Sequence, residues 1–240
     1  MDIIGKPLFY HSDLDKDTFT LSEEESRHCA ASLRFKEGDF LFITDGKGQI
    51  VNGRLEKASP KGCVVQVVER EKIAKSNTFR RLIVAPPKTG ERLDLILEKS
   101  TEIGIDEILF IESRYSERDK INLERLQKIA ISAMKQSKQA FLPALIGMLK
   151  WKQFIGLSLE GTKYIAAILE DQSTEQLGAV LAHSSPHSAI SILIGPEGDF
   201  SEEEIQQAIS IGFKPISLGK NILRTETASI YALSLINAFA

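Results

Sequence analysis

Two short segments near the C-terminus bring together residue types that suit a ligand site. The first, Ile194-Gly195-Pro196-Glu197-Gly198-Asp199-Phe200, leaves an aliphatic run and enters a helix signal. Its two glycines and proline let backbone amides and carbonyls approach a flat ligand closely. The spacing departs from the G-x-G-x-x-G dinucleotide fingerprint, and taken alone the segment fits an ordinary strand-to-helix turn equally well. The second segment is Leu218-Gly219-Lys220-Asn221-Ile222-Leu223-Arg224-Thr225-Glu226-Thr227-Ala228. Ile222 and Leu223 are apolar in a loop that should be solvated, which suits a pocket wall. Arg224 and Glu226 stand at the mouth of a helix, where a carboxylate also complements the helix dipole. The plainer alternative makes Thr225 an N-cap and Arg224 with Glu226 a surface ion pair.

Charge is uneven along the chain. Lys72, Lys75, Arg80, Arg81, Lys88 and Arg92 are offset only by Glu91, a local charge of +5. Such a run suits phosphate contacts, although a solvated face is its commoner origin. Asp94, Glu98 and Glu102 lie four apart on one helix face, where like charges cost about 0.2–0.5 kcal/mol per pair. Something must offset them, and lysines from another segment are the simplest candidates. Ser132-Ala133-Met134-Lys135 and Lys88-Thr89-Gly90 have the residue types of penicillin-binding enzymes, but in reversed order and with the serine inside a helix. His183 and His187 have zinc-like spacing, yet Pro186 lies between them and no third ligand is evident, so no metal site is expected. His28, flanked by Arg27, Arg34 and Lys36, is open both to polyanion contact and to plain helix packing.

The elements that must position these residues fall into two groups. Leu8 to Tyr10, Phe19 to Leu21, Phe40 to Thr44, Ile50 to Leu55 and Val64 to Val68 read as short strands, with Asp45-Gly46-Lys47-Gly48 as a hairpin turn. Ser22-Glu23-Glu24-Glu25 is a capping box that predicts a helix from Ser22 to about Ser32. Beyond the polar stretch Glu69 to Asn77, strands alternate with helices: Leu82 to Ala85, Glu107 to Ile111, Tyr164 to Leu169, Ser191 to Ile194 and Pro215 to Leu218 are aliphatic runs that suit a parallel sheet covered on both faces. Leu93, Ile96, Leu97 and Ile103, closed by Gly104, mark one helix. Leu123, Leu126, Ala130, Ala133, Met134 and Ser137, closed before Pro143, mark another. Ser201 and Glu204 form a second capping box with Phe200 and Ile205 as its staple. The expected division is a small β domain over residues 1–72 and an α/β domain over 73–240. From Ala228 to Ala240, ten of thirteen residues are apolar, so the last helix must be covered on most sides, by its own core or by a symmetric partner.

Composition sets the outer bounds. The 240 residues are 42% hydrophobic and 26% charged, which excludes disordered, collagen-like and coiled-coil chains. A net charge of −3 means that a nucleic-acid site must be a local patch. Two cysteines, the absence of an N-x-[ST] acceptor, of an N-terminal apolar h-region and of a bilayer-length apolar run predict a soluble cytoplasmic protein without membrane attachment.

Together, Gly195-Pro196-Glu197-Gly198 and Leu218-Gly219-x-x-Ile222-Leu223-Arg224-Thr225-Glu226-Thr227-Ala228 resemble the signature of the SPOUT methyltransferases with a C-terminal trefoil knot. Within that superfamily the chain resembles the small-subunit (16S) ribosomal RNA uridine-N3 methyltransferases. His28 with Leu33-Arg34 and Gly38-Asp39, Lys88, Leu97-Glu98-Lys99-Ser100-Thr101-Glu102-Ile103-Gly104, and Gln136-Ser137 before Pro143 match the same family, so the resemblance spans both domains. Two departures are Asp199, where the family usually carries glycine, and Gln139, close to where a basic residue is common.

The resemblance implies a PUA-like β-barrel followed by a parallel sheet whose last segments thread into a knot, a topology that would otherwise be rejected as too rare. It implies that S-adenosylmethionine binds in the knot against Ile194, Gly195, Pro196, Glu197, Gly198, Leu218, Gly219, Ile222, Leu223, Arg224 and Thr225, and that the enzyme is a homodimer. RNA would meet His28, Arg34 and Lys88, and the partner would be ribosomal RNA, free or in an assembled subunit. Because uridine N3 carries a proton at neutral pH, methylation there needs a base or a cation beside O2 and O4. Glu226, Glu197 and Asp199 are candidate bases and Arg224 the candidate cation, with Arg224 and Glu226 favoured by position. Methylation of a ribose 2′-oxygen is the alternative within the superfamily. A different class is a non-catalytic RNA-binding protein with a degenerate knot.

Overall fold

A computed structural model describes residues 3–167, 174–183 and 189–239. By contacts the chain forms two units, one of residues 1–75 with 131–142 and the other of 76–130 with 143–240.

In the first unit, β1 (Leu8–Tyr10), β2 (Thr18–Thr20), β3 (Phe40–Thr44), β4 (Gln49–Lys57) and β5 (Val64–Lys72) make a curled mixed sheet in the order β1-β3-β4-β5-β2, with β1 parallel to β3 and the other pairs antiparallel. Alternation along these strands sends Phe9, Phe19, Leu41, Ile43, Val51, Leu55 and Val65 into one core with Cys29 and Cys63. The sheet bends where β4 is bulged at Asn52/Gly53; a Cβ on Gly53 would stand 2.3 Å from Val65 Cγ1, so only glycine fits that approach. The β3–β4 turn is the expected Asp45–Gly48 hairpin, with Asp45 Oδ1 accepting from the Lys47 and Gln49 amides.

The helix expected from Ser22 to Ser32 is present in altered form. Ser22 Oγ accepts from the Glu25 amide at 3.2 Å and starts α1 (Glu23–Arg27). The returning half of the capping box is missing, because the buried Glu25 carboxylate instead accepts from the Tyr10 amide and pairs with Lys135 Nζ. Beyond Arg27 the helix widens to a π-turn over His28–Ser32.

In the second unit, β6 (Phe79–Val84), β7 (Glu107–Glu112), β8 (Ala144–Lys150), β9 (Thr162–Ala166), β10 (Ala189–Ile194) and β11 (Phe213–Ile216) form a sheet ordered β11-β9-β10-β6-β7-β8. Every pairing in it is parallel. Helices α2 (Gly90–Ile103), α3 (Leu123–Ser137), α4 (Trp151–Ile155), α5 (Leu177–Ala182), α6 (Glu202–Ser210) and α7 (Thr225–Phe239) complete the chain, and residues 131–137 of α3 belong to the first unit. One face of the sheet packs Ile83, Leu109, Ile165 and Leu193 with Phe154 of α4 and Ile205 and Ala208 of α6; α7 lies against α2, α5, β6 and β10. Both halves of the Ser201/Glu204 capping box form, and Phe200 and Ile205 are buried beside it.

Several expectations change in detail. β9 ends at Ala166, and Ile168 and Leu169 of the expected strand lie outside the described residues, as do Pro186 and His187. The edge strand β8 was not expected, since Leu145 to Leu149 is a short apolar run broken by Gly147. The acidic stripe on α2 is offset partly from within: Lys99 pairs with Glu98 at 2.8 Å and Glu102 at 2.9 Å, while Asp94 pairs with Arg125 of α3 at 2.5 Å. On α7, Ile236 is in the domain's own core, whereas Tyr231 and Phe239 are 45% and 48% exposed. Among the described residues no helix is long and apolar enough to cross a membrane.

Candidate active site

Strands β6, β7 and β8 step outward to one edge, and the chain then crosses to place β10, β9 and β11 on the other side of β6. At such a switch point, outside the carboxyl ends of the strands, open α/β sheets form a ligand crevice. A cleft of about 320 Å³ opens here, inside the range of about 300–1,000 Å³ typical of small-ligand sites. Its walls are the ends of β9, β10 and β11 and the loops 195–199 and 217–224, with Arg92 of α2 at one side.

The two loops hold each other. Thr225, buried at the start of α7, donates its hydroxyl to the Gly195 carbonyl at 3.1 Å, so its oxygen serves the neighbouring loop. Ser217 Oγ accepts from the Gly219 amide at 3.1 Å and donates to the Gly219 carbonyl at 3.0 Å, folding the second loop on itself. Gly219 has φ +126, which L side chains rarely adopt, and a Cβ there would meet open space. In the first loop Asp199 also has positive φ, +60, a conformation that favours glycine. Its Oδ1 accepts from the Phe200 amide at 2.7 Å. Burial of the carboxyl, which disfavours its charged form, raises Asp199 above its ordinary range, against the lowering effect of that amide.

Arg92 is the residue that sequence reasoning counted only as charge. Its Nη1 stands 3.4 Å from Glu197 Oε1 and its Nε 3.5 Å from Glu226 Oε1. The Lys88 amide also donates to Glu197 Oε1, at 3.2 Å. Glu226 is therefore paired with Arg92, not with Arg224, which is exposed and makes no ion pair with the described residues. Glu226 is 8% exposed, and its Oε2 is buried without a hydrogen-bond partner. The available signal was position: Arg92 stands in the first turn of a helix that follows β6 at the switch point.

The structure gathers Ile194, Gly195, Pro196, Glu197, Leu218, Gly219, Ile222, Leu223, Arg224 and Thr225 around the cleft, together with Ala166, Ala167, Asp199, Ile216, Ser217, Asn221 and Ala228. Gly198 is not on its wall; a Cβ there would stand 3.0 Å from Tyr115 Cβ. Ile222 is at the rim and 91% exposed. The basic run is largely committed to local pairs: Arg80 donates to the Gly104 carbonyl, Arg81 pairs with Glu107, and exposed Lys88 has its Nζ 2.5 Å from Glu117 Oε2. In the first unit, His28 opens the π-turn with its ring centroid 5.9 Å from that of Phe9. It lines a second cavity of about 490 Å³ with Arg27, Lys135 and Lys138. Arg34 is exposed, with φ +59. His183 Nδ1 lies 2.8 Å from the Ala179 carbonyl, and among the described residues no three His, Cys, Asp or Glu side chains cluster as a metal site.

Known families match this architecture in both units. A model of the RNA methyltransferase domain matches residues 75–237, and one of the RNA methyltransferase PUA domain matches residues 21–68. The curled first sheet is thus PUA-like, and the class is an RNA methyltransferase. The ribosomal RNA small subunit methyltransferase E of Synechocystis sp. is 32% identical over 227 residues, which cover 92% of this chain and 73% of that protein. A crystal structure of a probable rRNA-methyltransferase from Porphyromonas gingivalis has 40% identity and a TM-score of 0.87, covering 97% of this chain and 98% of its own. The ribosomal RNA small subunit methyltransferase E from Neisseria gonorrhoeae, solved bound to S-adenosyl methionine, has 30% identity and a TM-score of 0.82, with 97% of each chain covered. The chain belongs to the ribosomal RNA small subunit methyltransferase E family of SPOUT RNA methyltransferases.

Proposed function

We propose that this protein methylates N3 of a uridine in small-subunit ribosomal RNA, using S-adenosylmethionine held in the cleft between the 195–199 and 217–224 loops. The observation that carries the reading is that both loops of the signature meet in one cleft at the sheet's switch point, tied by Thr225 to Gly195. The residues fit the cofactor: the cleft presents Gly195 and Gly219, leaves open space over Gly219, and carries the carboxylates of Glu197 and Asp199 on its wall. When bound, S-adenosylmethionine supplies an activated methyl group on a sulfonium. The chain's own part is to hold the uracil ring in line with that methyl and to deal with the N3 proton. Glu226, Glu197 and Asp199 are the candidate carboxylates to take it, the last two on the cleft wall, and the exposed Arg224 guanidinium supplies positive charge for O2 and O4. Because N3 lies on the Watson–Crick edge, the target must be unpaired or flipped out.

The same reading gives the PUA-like unit the RNA grip, through His28 and Arg34, with Lys88 added from the methyltransferase domain. The knot that the signature implies belongs to it, as does a homodimer in which a second copy covers exposed Tyr231 and Phe239 of α7 and Leu95 of α2. The experiment is transfer of labelled methyl from S-adenosylmethionine to small-subunit RNA, free and as assembled subunit. Label in either substrate is expected; a chain that binds neither cofactor nor RNA would overturn the proposal.

A further inference from the structure

Among the described residues two cations line the cleft, Arg92 and Arg224, and their surroundings differ. Arg224 is exposed in the second loop. Arg92 comes from α2, outside both loops, and two carboxylates from separate chain segments converge on it: Glu197 of the first loop at Nη1 and Glu226 of the first turn of α7 at Nε. A guanidinium presents donors along a rigid plane and can serve two acceptors at once, whereas an ammonium is a single compact charge. Without Arg92 the two carboxylates would keep their places with no cation between them, and Glu226 would be left buried and uncompensated.

We infer that Arg92 is a positioning residue that clamps the cofactor loop to the start of α7 through Glu197 and Glu226. The inference rests on the methyltransferase reading above.

The full chain is titrated calorimetrically with S-adenosylmethionine and then assayed for methyl transfer, as wild type, Arg92→Lys, Arg92→Gln, Glu226→Gln and the Arg92→Gln/Glu226→Gln double variant. Wild type that binds no cofactor would sink the methyltransferase reading itself. With wild-type binding in hand, Arg92→Gln is expected to weaken cofactor affinity about tenfold or more. Arg92→Lys should recover little of the loss, and the double variant should bind no worse than the weaker single variant, since one clamp is broken only once. Should Arg92→Gln fail to fold, Arg92→Lys and the double variant, which removes both charges, carry the comparison. Arg125→Gln breaks a guanidinium–carboxylate pair on the outer side of the same helix, with Asp94, and should change nothing. Wild-type affinity in Arg92→Gln, additive losses, or an equal loss in Arg125→Gln would overturn the clamp. Glu226→Gln, which removes one arm of the clamp, should weaken cofactor affinity as well; wild-type affinity there would remove Glu226 from the clamp.

Discussion

Thr225 and Gly195 are thirty residues apart, and the hydroxyl of one donates to the carbonyl of the other at 3.1 Å. The bond fixes the N-terminus of α7 against the loop after β10, so the two halves of the cleft share one geometry. Thr225→Val keeps the shape and removes the donor. It should cost about 1 kcal/mol of stability, the usual worth of such a bond, and weaken S-adenosylmethionine binding, while Thr225→Ser retains both. Melting curves and calorimetry on the two variants check this.

Gly219 and Gly195 should respond differently to a side chain. At Gly219 a valine meets open space within the cleft but must adopt φ +126, a strain of about 1–3 kcal/mol for a residue with a Cβ. Cofactor binding should be lost while the protein still folds. At Gly195 the Cβ alone would stand 3.2 Å from the Phe200 ring, which is buried in the sheet's core, so Gly195→Val should also lower the melting temperature. Undiminished cofactor affinity in Gly219→Val would contradict the pocket.

The pH dependence of stability carries a signature of Asp199. Its folded-state carboxyl lies above the ordinary aspartate range, so between the two values the folded chain holds a proton that the unfolded chain has released. Stability contributed by this group is therefore present at acid pH and lost as pH rises through that window. Exposure of the residue as a whole keeps the step small. Asp199→Asn, which tolerates positive φ and still accepts from the Phe200 amide, should lack the step when melting is followed from acid to neutral pH.

Phe239 and Ile236 separate the dimer from the core. Ile236 is 0% exposed, so aspartate there strands a charge among the domain's own apolar side chains and should unfold it. Phe239 is half exposed, and Phe239→Asp should leave the fold intact while shifting sedimentation from dimer to monomer. A wild-type chain that sediments as a monomer with full activity would contradict the dimer.

Much of this architecture is legible in the sequence because local rules and global fold agree. The Ser201/Glu204 capping box and its staple, the Asp45–Gly48 turn and the aliphatic runs of β6, β7 and β10 each follow from residues within a few positions of one another. What escaped depends on partners far along the chain. Glu25 leaves its expected cap because Tyr10 and Lys135 compete for its carboxylate. Glu226 pairs with Arg92, 134 residues earlier, in preference to its neighbour Arg224. The edge strand β8 has a short apolar pattern broken by Gly147, and only its pairing with β7 makes it a strand. The cleft residues were legible as a signature, but the clamp that joins its two halves was not, because no periodicity links α2 to α7.

One measurement reads directly the chemistry delivered to RNA. Small-subunit ribosomal RNA incubated with the protein and S-adenosylmethionine is digested to nucleosides, and the methylated product is identified by mass spectrometry against reference nucleosides. The expected product is 3-methyluridine, absent when the cofactor is withheld. A 2′-O-methylated nucleoside, or a methyl group on any other base, would contradict it.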